Sequence, residues 1–281
     1  MTTTKKDISK DVPLVKRISN KLKAFPYYGG KHLLLPVLIA MTPPSHITIE
    51  ACAGSATYTL NKPVTKVEVI NDINSEVVNF FRVLRNKPDE LIRLLKFTPY
   101  GRDEFLAARR NISFESCDVE KARKFFVKHQ QSFAGAGNSY GFAVSKNQAT
   151  TFRNRVESLV HVSERLRNVQ IENKDINFMI EHYGKREDAF VYIDPPYMPE
   201  TRVTKDNYEF EMDERQHKEM LELAVASPAK ILISGYPTKL YDKYLKKWYR
   251  REIEISCFAS YSKNKKTKPR RTEVLWWNYK I

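Results

Sequence analysis

Cysteine is scarce in this chain. Cys52, Cys117 and Cys257 are far apart and odd in number, and neither a CxxC pair nor a Cys/His ligand spacing occurs. That argues against a disulfide framework and against a zinc site, so no metal is expected. Long apolar runs are also missing. No segment reaches membrane-spanning length and no secretory apolar core is present, so the chain reads as soluble and cytoplasmic. No internal repeat is visible. Acid, too, is in short supply: 33 Asp and Glu stand against 48 Lys and Arg, a formal charge of +15.

The excess is unevenly placed. Residues 1–24 carry seven basic side chains against two acids, residues 85–168 sixteen against nine, and residues 262–281 seven against one. The stretches between are neutral or slightly acidic. Plain solubility would account for a scattered excess. Concentration in three segments points instead to surfaces that face a polyanion, most often nucleic acid.

With hydrophobic residues at 42% of 281, a sizeable core is within reach. Residues 1–21 are polar, basic and aperiodic, which predicts a flexible arm. "HITIEACAG" (46–54) and "VEVINDI" (67–73) read as strands, and "SEVVNFFRVLR" (75–85) as a helix with Ser75 as its N-cap. Residues 86–165 then read as a block of basic helices with a glycine-rich loop at 134–152, after which helical spacing resumes at Arg155. Alternation returns with strands at "VQIENKDI", "AFVYIDPPY" and "AKILISGY" and helices between and after them. "REIEISCFASYS" and "RTEVLWWNY", joined by the basic loop "KNKKTKPRR", predict a closing hairpin. The expected fold is therefore α/β, a mostly parallel sheet with a C-terminal antiparallel hairpin. Residues 22–85 and 166–281 form its body, and the helical block 86–165 is inserted.

Ligands of such sheets bind at the carboxyl ends of strands. There, Gly54 in "EACAGSA" allows close backbone approach, and Asp72 follows 18 residues later, near the spacing at which a carboxylate reaches ribose hydroxyls. An ordinary tight turn would use the same glycine. In "YYGGK", Gly29, Gly30 and Lys31 suit either an anion-receiving loop or a turn into a helix, and no P-loop pattern is present. "DPPY" (194–197) is more specific. Asp194 ends an apolar strand, Pro195 and Pro196 remove two donors and stiffen the turn, and Tyr197 offers a flat ring. Two rigid acceptors, the Asp194 carboxylate and the Pro195 carbonyl, beside a stacking surface suit a planar base with an exocyclic amine.

"YYGGK" (27–31), "EACAGSA" (50–56), "NDIN" (71–74), "DPPY" (194–197) and "ILISGY" (231–236), in this order, resemble the Dam-type DNA adenine-N6 methyltransferases, over roughly residues 24–281. The resemblance implies a Rossmann-like enzyme that uses S-adenosylmethionine, with residues 86–165 as its target recognition domain. It places Tyr27, Gly29, Gly30 and Lys31 in the cofactor pocket, with Lys31 near the methionine carboxylate. Ala53, Gly54 and Ser55 would lie under the methionine part, Asp72 at the ribose, Asp175 near the adenine, and Asp194 between cofactor and substrate. Asp194, Pro195, Pro196 and Tyr197 would be catalytic. The sequence departs from the family's pattern at Tyr27, where tryptophan is common, at Cys52, where phenylalanine is frequent, and at Ala56, where a glycine is expected. Cys52 is then a packing residue.

The resemblance implies double-stranded DNA as partner, bound by a monomer or a weak dimer, and a restriction–modification setting. Arg109, Arg110, Asn138, Tyr140, Arg153 and Arg155 in the insertion, and Lys265, Lys266, Arg270 and Arg271 near the end, are the candidate DNA contacts. Phosphate contact or a solvated face would use the same side chains. His217 reads as an ordinary helix residue, and Trp248, Trp276 and Trp277 as core. Methylation of cytosine N4, RNA adenine or a protein glutamine is the rival activity; a DNA-binding relative without catalysis is the rival class. Measured by fluorescence anisotropy, affinity for duplex DNA is expected to fall steeply between low and moderate salt.

Overall fold

The computed structural model describes residues 21–110, 117–143, 146–198, 210–256 and 270–281. The arm up to residue 20, Lys265, Lys266 and the Arg270 side chain lie outside what it describes.

Seven strands form one sheet: β1 (Ile47–Glu50), β2 (Val67–Asn71), β3 (Val169–Glu172), β4 (Ala189–Ile193), β5 (Lys230–Gly235), β6 (Tyr249–Ser256) and β7 (Arg270–Trp277). Their order is β3-β2-β1-β4-β5-β7-β6. The first five are mutually parallel; β7 runs antiparallel to both β5 and β6. The α/β, mostly parallel sheet with a closing antiparallel hairpin is thus as the sequence predicts.

Apolar side chains alternate across this sheet. Val191, Ile193, Ile231, Ile233, Val274 and Trp276 face one core, shared with helices α8 (Ile176–Tyr183), α9 (Glu214–Ala226) and α10 (Lys239–Tyr244). Phe190, Tyr192, Leu232, Leu275 and Trp277 face another, closed by α1 (Leu35–Ala40) and Tyr58 of α2 (Thr57–Asn61). Trp276 and Trp277 are buried, as is His217, whose Nδ1 is 2.9 Å from the Tyr241 hydroxyl.

The helical block packs directly on the remaining part of the sheet. It comprises α4 (Pro88–Lys96), α5 (Arg102–Arg109), α6 (Asp118–Gln130) and α7 (Gln148–Leu166). Leu91, Phe125, Phe126, Phe152 and Leu159 share one core with Phe80 and Phe81 of α3 (Ser75–Asn86), with Phe25, and with Ile70 and Val169 of the sheet. Two boundaries differ from expectation. The cap of α3 is Asn74, not Ser75; its side chain accepts from the Glu76 amide at 2.8 Å. Likewise α7 starts at Gln148 rather than Arg155, because Asn147 caps it through the Thr150 amide at 3.0 Å.

A buried ion cluster bolts α7 to β2. Arg165 donates to both Glu68 oxygens, at 2.6 and 2.8 Å, and to the Thr59 carbonyl at 2.7 Å. Lys62 pairs with the same carboxylate. Burial opposes the Glu68 charge, but the two cations outweigh it and its pKa lies below the usual carboxylate value. Removing the shared anion strands two cations, so Glu68→Leu is expected to cost about 3–5 kcal/mol in urea unfolding.

Candidate active site

The order of successive strands reverses between the parallel neighbours β1 and β4, a topological switch point. A cavity of about 280 Å³ opens there, at the carboxyl edge. Tyr27, Lys31, Gly54, Asp72, Asp175 and Asp194 all line it. So do Gly29, Gly30, Ala53, Ser55, Pro195 and Pro196. Segments that are distant in sequence are therefore gathered at one place.

Gly54 is in the left-handed region at φ +48°, and a Cβ there would stand 2.8 Å from Cδ1 of Tyr27. Only glycine meets both conditions without strain. Ala56, at φ 50°, takes the same conformation with a side chain, just where α2 begins. Tyr27 is fixed from behind. Its ring meets Phe25 edge-on at 5.7 Å and lies 5.3 Å from His129 of α6.

Asp72 directly follows β2. One of its carboxylate oxygens accepts from the Gly54 amide at 2.7 Å and the other from the Asn74 amide at 2.9 Å. Burial raises its pKa, against those two amides. Each oxygen retains lone-pair capacity toward the cavity. Asp175 lies three residues past β3 and caps α8 through the Asn177 amide at 2.8 Å. The residues fit a nucleoside-bearing cofactor: glycine leaves the backbone bare, and the Asp72 carboxylate is fixed at the cavity wall by two amides.

Asp194 directly follows β4. Its Oδ1 accepts from the Ser234 hydroxyl at 2.8 Å and pairs with Lys31 Nζ at 2.8 Å. Among the described residues, no hydrogen bond reaches its Oδ2 or the Pro195 carbonyl. Lys31 also donates to the Gly29 carbonyl at 3.0 Å. Burial would lower the Lys31 pKa, but Asp194 and then Glu273 outweigh it, so the ammonium is held charged. Lys31 is thus a buried ion-pair partner, not one solvated charge among many.

Tyr197 is placed differently from its neighbours in the motif. It is 7% exposed and does not line the cavity. Its hydroxyl donates to Glu273, at 2.9 and 3.1 Å from the two oxygens. Its ring lies 4.3 Å from Tyr236, and Lys31 Nζ stands 4.8 Å from its centroid.

Two glutamates escaped the sequence reading. Glu50, the last residue of β1, lines the cavity and accepts from the Thr59 amide at 2.8 Å. Burial pushes its carboxyl up to about 7. Glu273, 3% exposed, is brought to the same edge because β7 runs antiparallel. Only the topology reveals the second; the first sits in the glycine motif itself. Burial and the carboxylates Asp72 and Asp194 push the Cys52 thiol well above its ordinary value, as suits a packing residue.

The candidate DNA contacts are dispersed. Arg109, Arg110, Asn138 and Arg153 are exposed. Tyr140 packs against Tyr100 and Phe105, with the Arg102 guanidinium 5.0 Å from its ring centroid. Arg155 is half-buried, and Arg271 donates to the Tyr236 hydroxyl at 3.0 Å. Among the described residues no cluster of three His, Cys, Asp or Glu is placed to hold a metal, and no helix is long and apolar enough to cross a membrane.

Comparison with known proteins agrees with this arrangement. The chain is 24% identical over 284 residues to the type II methyltransferase M1.LlaDCHI of Lactococcus lactis subsp. cremoris, covering 92% of this chain and 97% of that one. It is 26% identical to the type II methyltransferase M.MjaIII of Methanocaldococcus jannaschii, over 56% of this chain and 61% of the relative. Among solved structures, an rRNA methylase from Streptococcus thermophilus aligns over 87% of this chain and 94% of its own at 10% identity, with a TM-score of 0.35, too low to carry an argument. Residues 27–268, which include every motif of the cavity, match the D12 class N6 adenine-specific DNA methyltransferases, and the chain belongs to that family.

Proposed function

We propose that this DNA methyltransferase transfers a methyl group from S-adenosylmethionine to N6 of an adenine swung out of duplex DNA. The observation that carries the proposal is a pair of acceptors with no hydrogen bond from the described residues, Asp194 Oδ2 and the Pro195 carbonyl, at a cavity that also holds Asp72.

In this reading Asp72 holds the ribose hydroxyls, Gly54 with Ala53 and Ser55 supports the methionine part, and Tyr27, Gly29, Gly30 and Asp175 complete the pocket. When bound, the cofactor supplies a methyl group activated on a sulfonium. The exocyclic nitrogen of adenine is a poor nucleophile, because its lone pair is delocalised into the ring. Asp194 and the Pro195 carbonyl each accept one of its N–H bonds, which favours a more tetrahedral nitrogen and stabilises the positive charge that develops there. The ammonium of Lys31, held charged by its surroundings, pairs with Oδ1 of Asp194 at 2.8 Å and leaves Oδ2 for the amine.

The position of Lys31 adds an order of events. It covers one face of Tyr197 and occupies Oδ1 of Asp194. An incoming base that stacks on Tyr197 displaces the ammonium from both. The base must be extruded because its amine is out of reach within the duplex, and stacking on Tyr197 offsets part of the lost stacking, by about 1–3 kcal/mol. The helical block 86–165 serves as the target recognition domain, with Arg109, Arg110, Asn138, Tyr140 and Arg153 among its contacts to DNA.

Asp194→Ala is expected to lower methyl transfer by at least about 10²–10³-fold. Equilibrium binding of radiolabelled S-adenosylmethionine should remain. Turnover at the wild-type rate in the purified variant would overturn the proposal. Glu50 yields a separate expectation. Its folded pKa, about 7, lies above the usual 4.5, so the folded state binds its proton more tightly. Its contribution is fully favourable below about pH 4.5 and is lost as pH rises through 7. Glu50→Gln should flatten that part of the stability profile, as measured by urea unfolding across this range.

A further inference from the structure

The segment before the cavity is held rigidly although it has no regular secondary structure. The Leu22 amide donates to Asn61 Oδ1 at 2.8 Å, and Asn61 Nδ2 returns a bond to the Leu22 carbonyl at 2.9 Å. Ala24 and Phe25 are buried in the core just beyond. Lys21 and Lys23, on either side of the clamped residue, therefore project from a fixed frame.

Two further contacts tie this frame to distant parts of the chain. Lys21 Nζ donates to the His32 carbonyl at 3.1 Å, and Arg155 Nη1 of α7 donates to the Lys23 carbonyl at 3.4 Å. Four basic side chains from three segments are thus assembled together. Among the described residues none of them has a carboxylate partner. This is unlike the treatment of other sequestered cations here: Lys31, Lys62, Arg123 and Arg165 are all ion-paired. Moreover Arg155 Nε and His32 Nδ1 are buried with no hydrogen-bond partner. Such orphaned polar groups are costly unless something completes them.

The electrostatics have the same sense. Burial, followed by Arg155 and Lys21, lowers the Lys23 pKa; burial, followed by Lys23, Lys21 and Arg155, pushes His32 down to about 4. The cations disfavour one another's charge, as they would where an anion is missing. A phosphodiester offers the complement, with oxygens for a guanidinium fork and for ammonium donors. The location suits DNA. His32 follows Lys31, which pairs with Asp194, so the assembly adjoins the cleft where the reacting base would lie.

We infer that Lys21, Lys23, His32 and Arg155 form a receptor for one backbone phosphate of the DNA, close to the extruded nucleotide. This rests on the function proposed above. Arg155 is then a phosphate contact that fixes register and not a reader of base edges.

The test is fluorescence anisotropy with a mixed-sequence DNA duplex over a range of salt, on the full chain. Lys23→Gln and Arg155→Gln should each weaken binding and lower the slope of log affinity against log salt by about one. The double variant should lower it no further, because one phosphate is shared. Lys21→Gln, whose side chain supports no backbone of its own segment, provides a variant less exposed to misfolding and should act in the same direction. Affinity for S-adenosylmethionine should be unchanged in all. Slopes equal to wild type overturn the inference. So does a fall in S-adenosylmethionine affinity at unchanged slope, which would assign the site to the cofactor's carboxylate. Thermal stabilisation by inorganic phosphate that is lost in the variants, again at unchanged slope, would assign it to a free anion and overturn it equally. None of these readouts requires methyl transfer, so an active Asp194→Ala variant would overturn the proposed function and an unaltered slope this inference, each separately.

Discussion

The constraint on which the site depends is a crowd of carboxylates at one sheet edge. Glu50, Asp72, Asp194 and Glu273 all approach the same crevice, and each is mostly or wholly withdrawn from water. Isolated charges in such a place are expensive. Each acid is stabilised by a different device. Asp72 takes two backbone amides, Glu273 takes the Tyr197 hydroxyl, Asp194 takes Lys31, and Glu50 retains its proton up to about pH 7. The outcome is an edge that favours positive charge. Under the proposed function, a sulfonium cofactor and an amine that becomes positive during reaction would both benefit from that field.

The helical block has the opposite sign and is nevertheless built into the same body. Its apolar faces merge with the sheet through Phe125, Phe126 and Leu159, and Arg165 fastens its longest helix to Glu68. The loop after α6 is fitted to the segment that leads into Tyr27 as well. Gly135 has φ +74°, and a Cβ there would meet the Pro26 backbone at 2.8 Å, one residue before Tyr27. His129 contacts Tyr27 and donates from Nδ1 to the Gly135 carbonyl, 2.9 Å away. Contacts made by the basic helices therefore have a short mechanical route to the ring that backs Gly54.

Much of this was legible in sequence, for reasons that differ by residue. Asp72 and Asp194 were readable because each ends an apolar strand and lies beside a distinctive neighbour, the glycine loop in one case and the two prolines in the other. Parallel strands buried on both faces produced the continuous apolar runs of "FVYI" and "KILIS". Glu68 was not readable: in "VEVIN" it looks like the solvent side of an alternating strand, whereas β2 lies inside the sheet and the side chain is paired from two directions. Glu273 was hidden for a related reason. Its importance arises from β7 inserting antiparallel beside β5, which no local pattern in "RTEVLWW" expresses. The caps at Asn74 and Asn147 were missed because serine and arginine nearby offered plausible starts, and the choice between neighbours depends on which side chain meets a free amide.

Tyr197 is the most instructive departure. Read from the motif, it is a platform waiting for a base; in the structure it is packed on Tyr236, bonded to Glu273 and covered by Lys31. These two descriptions are compatible if the covering group is mobile and the platform is not. A phenol anchored at its hydroxyl and braced by a second ring loses little further freedom when something stacks on it. Lys31, on a flexible four-carbon stem, is suited to leave. The ammonium and an exocyclic amine are alike in donating N–H bonds to Asp194, so exchange of one for the other keeps the carboxylate satisfied throughout. In the proposed function the site is then preorganised around a donor at every stage, and arrival of the base would replace one donor by another without exposing a bare carboxylate to the low-dielectric edge.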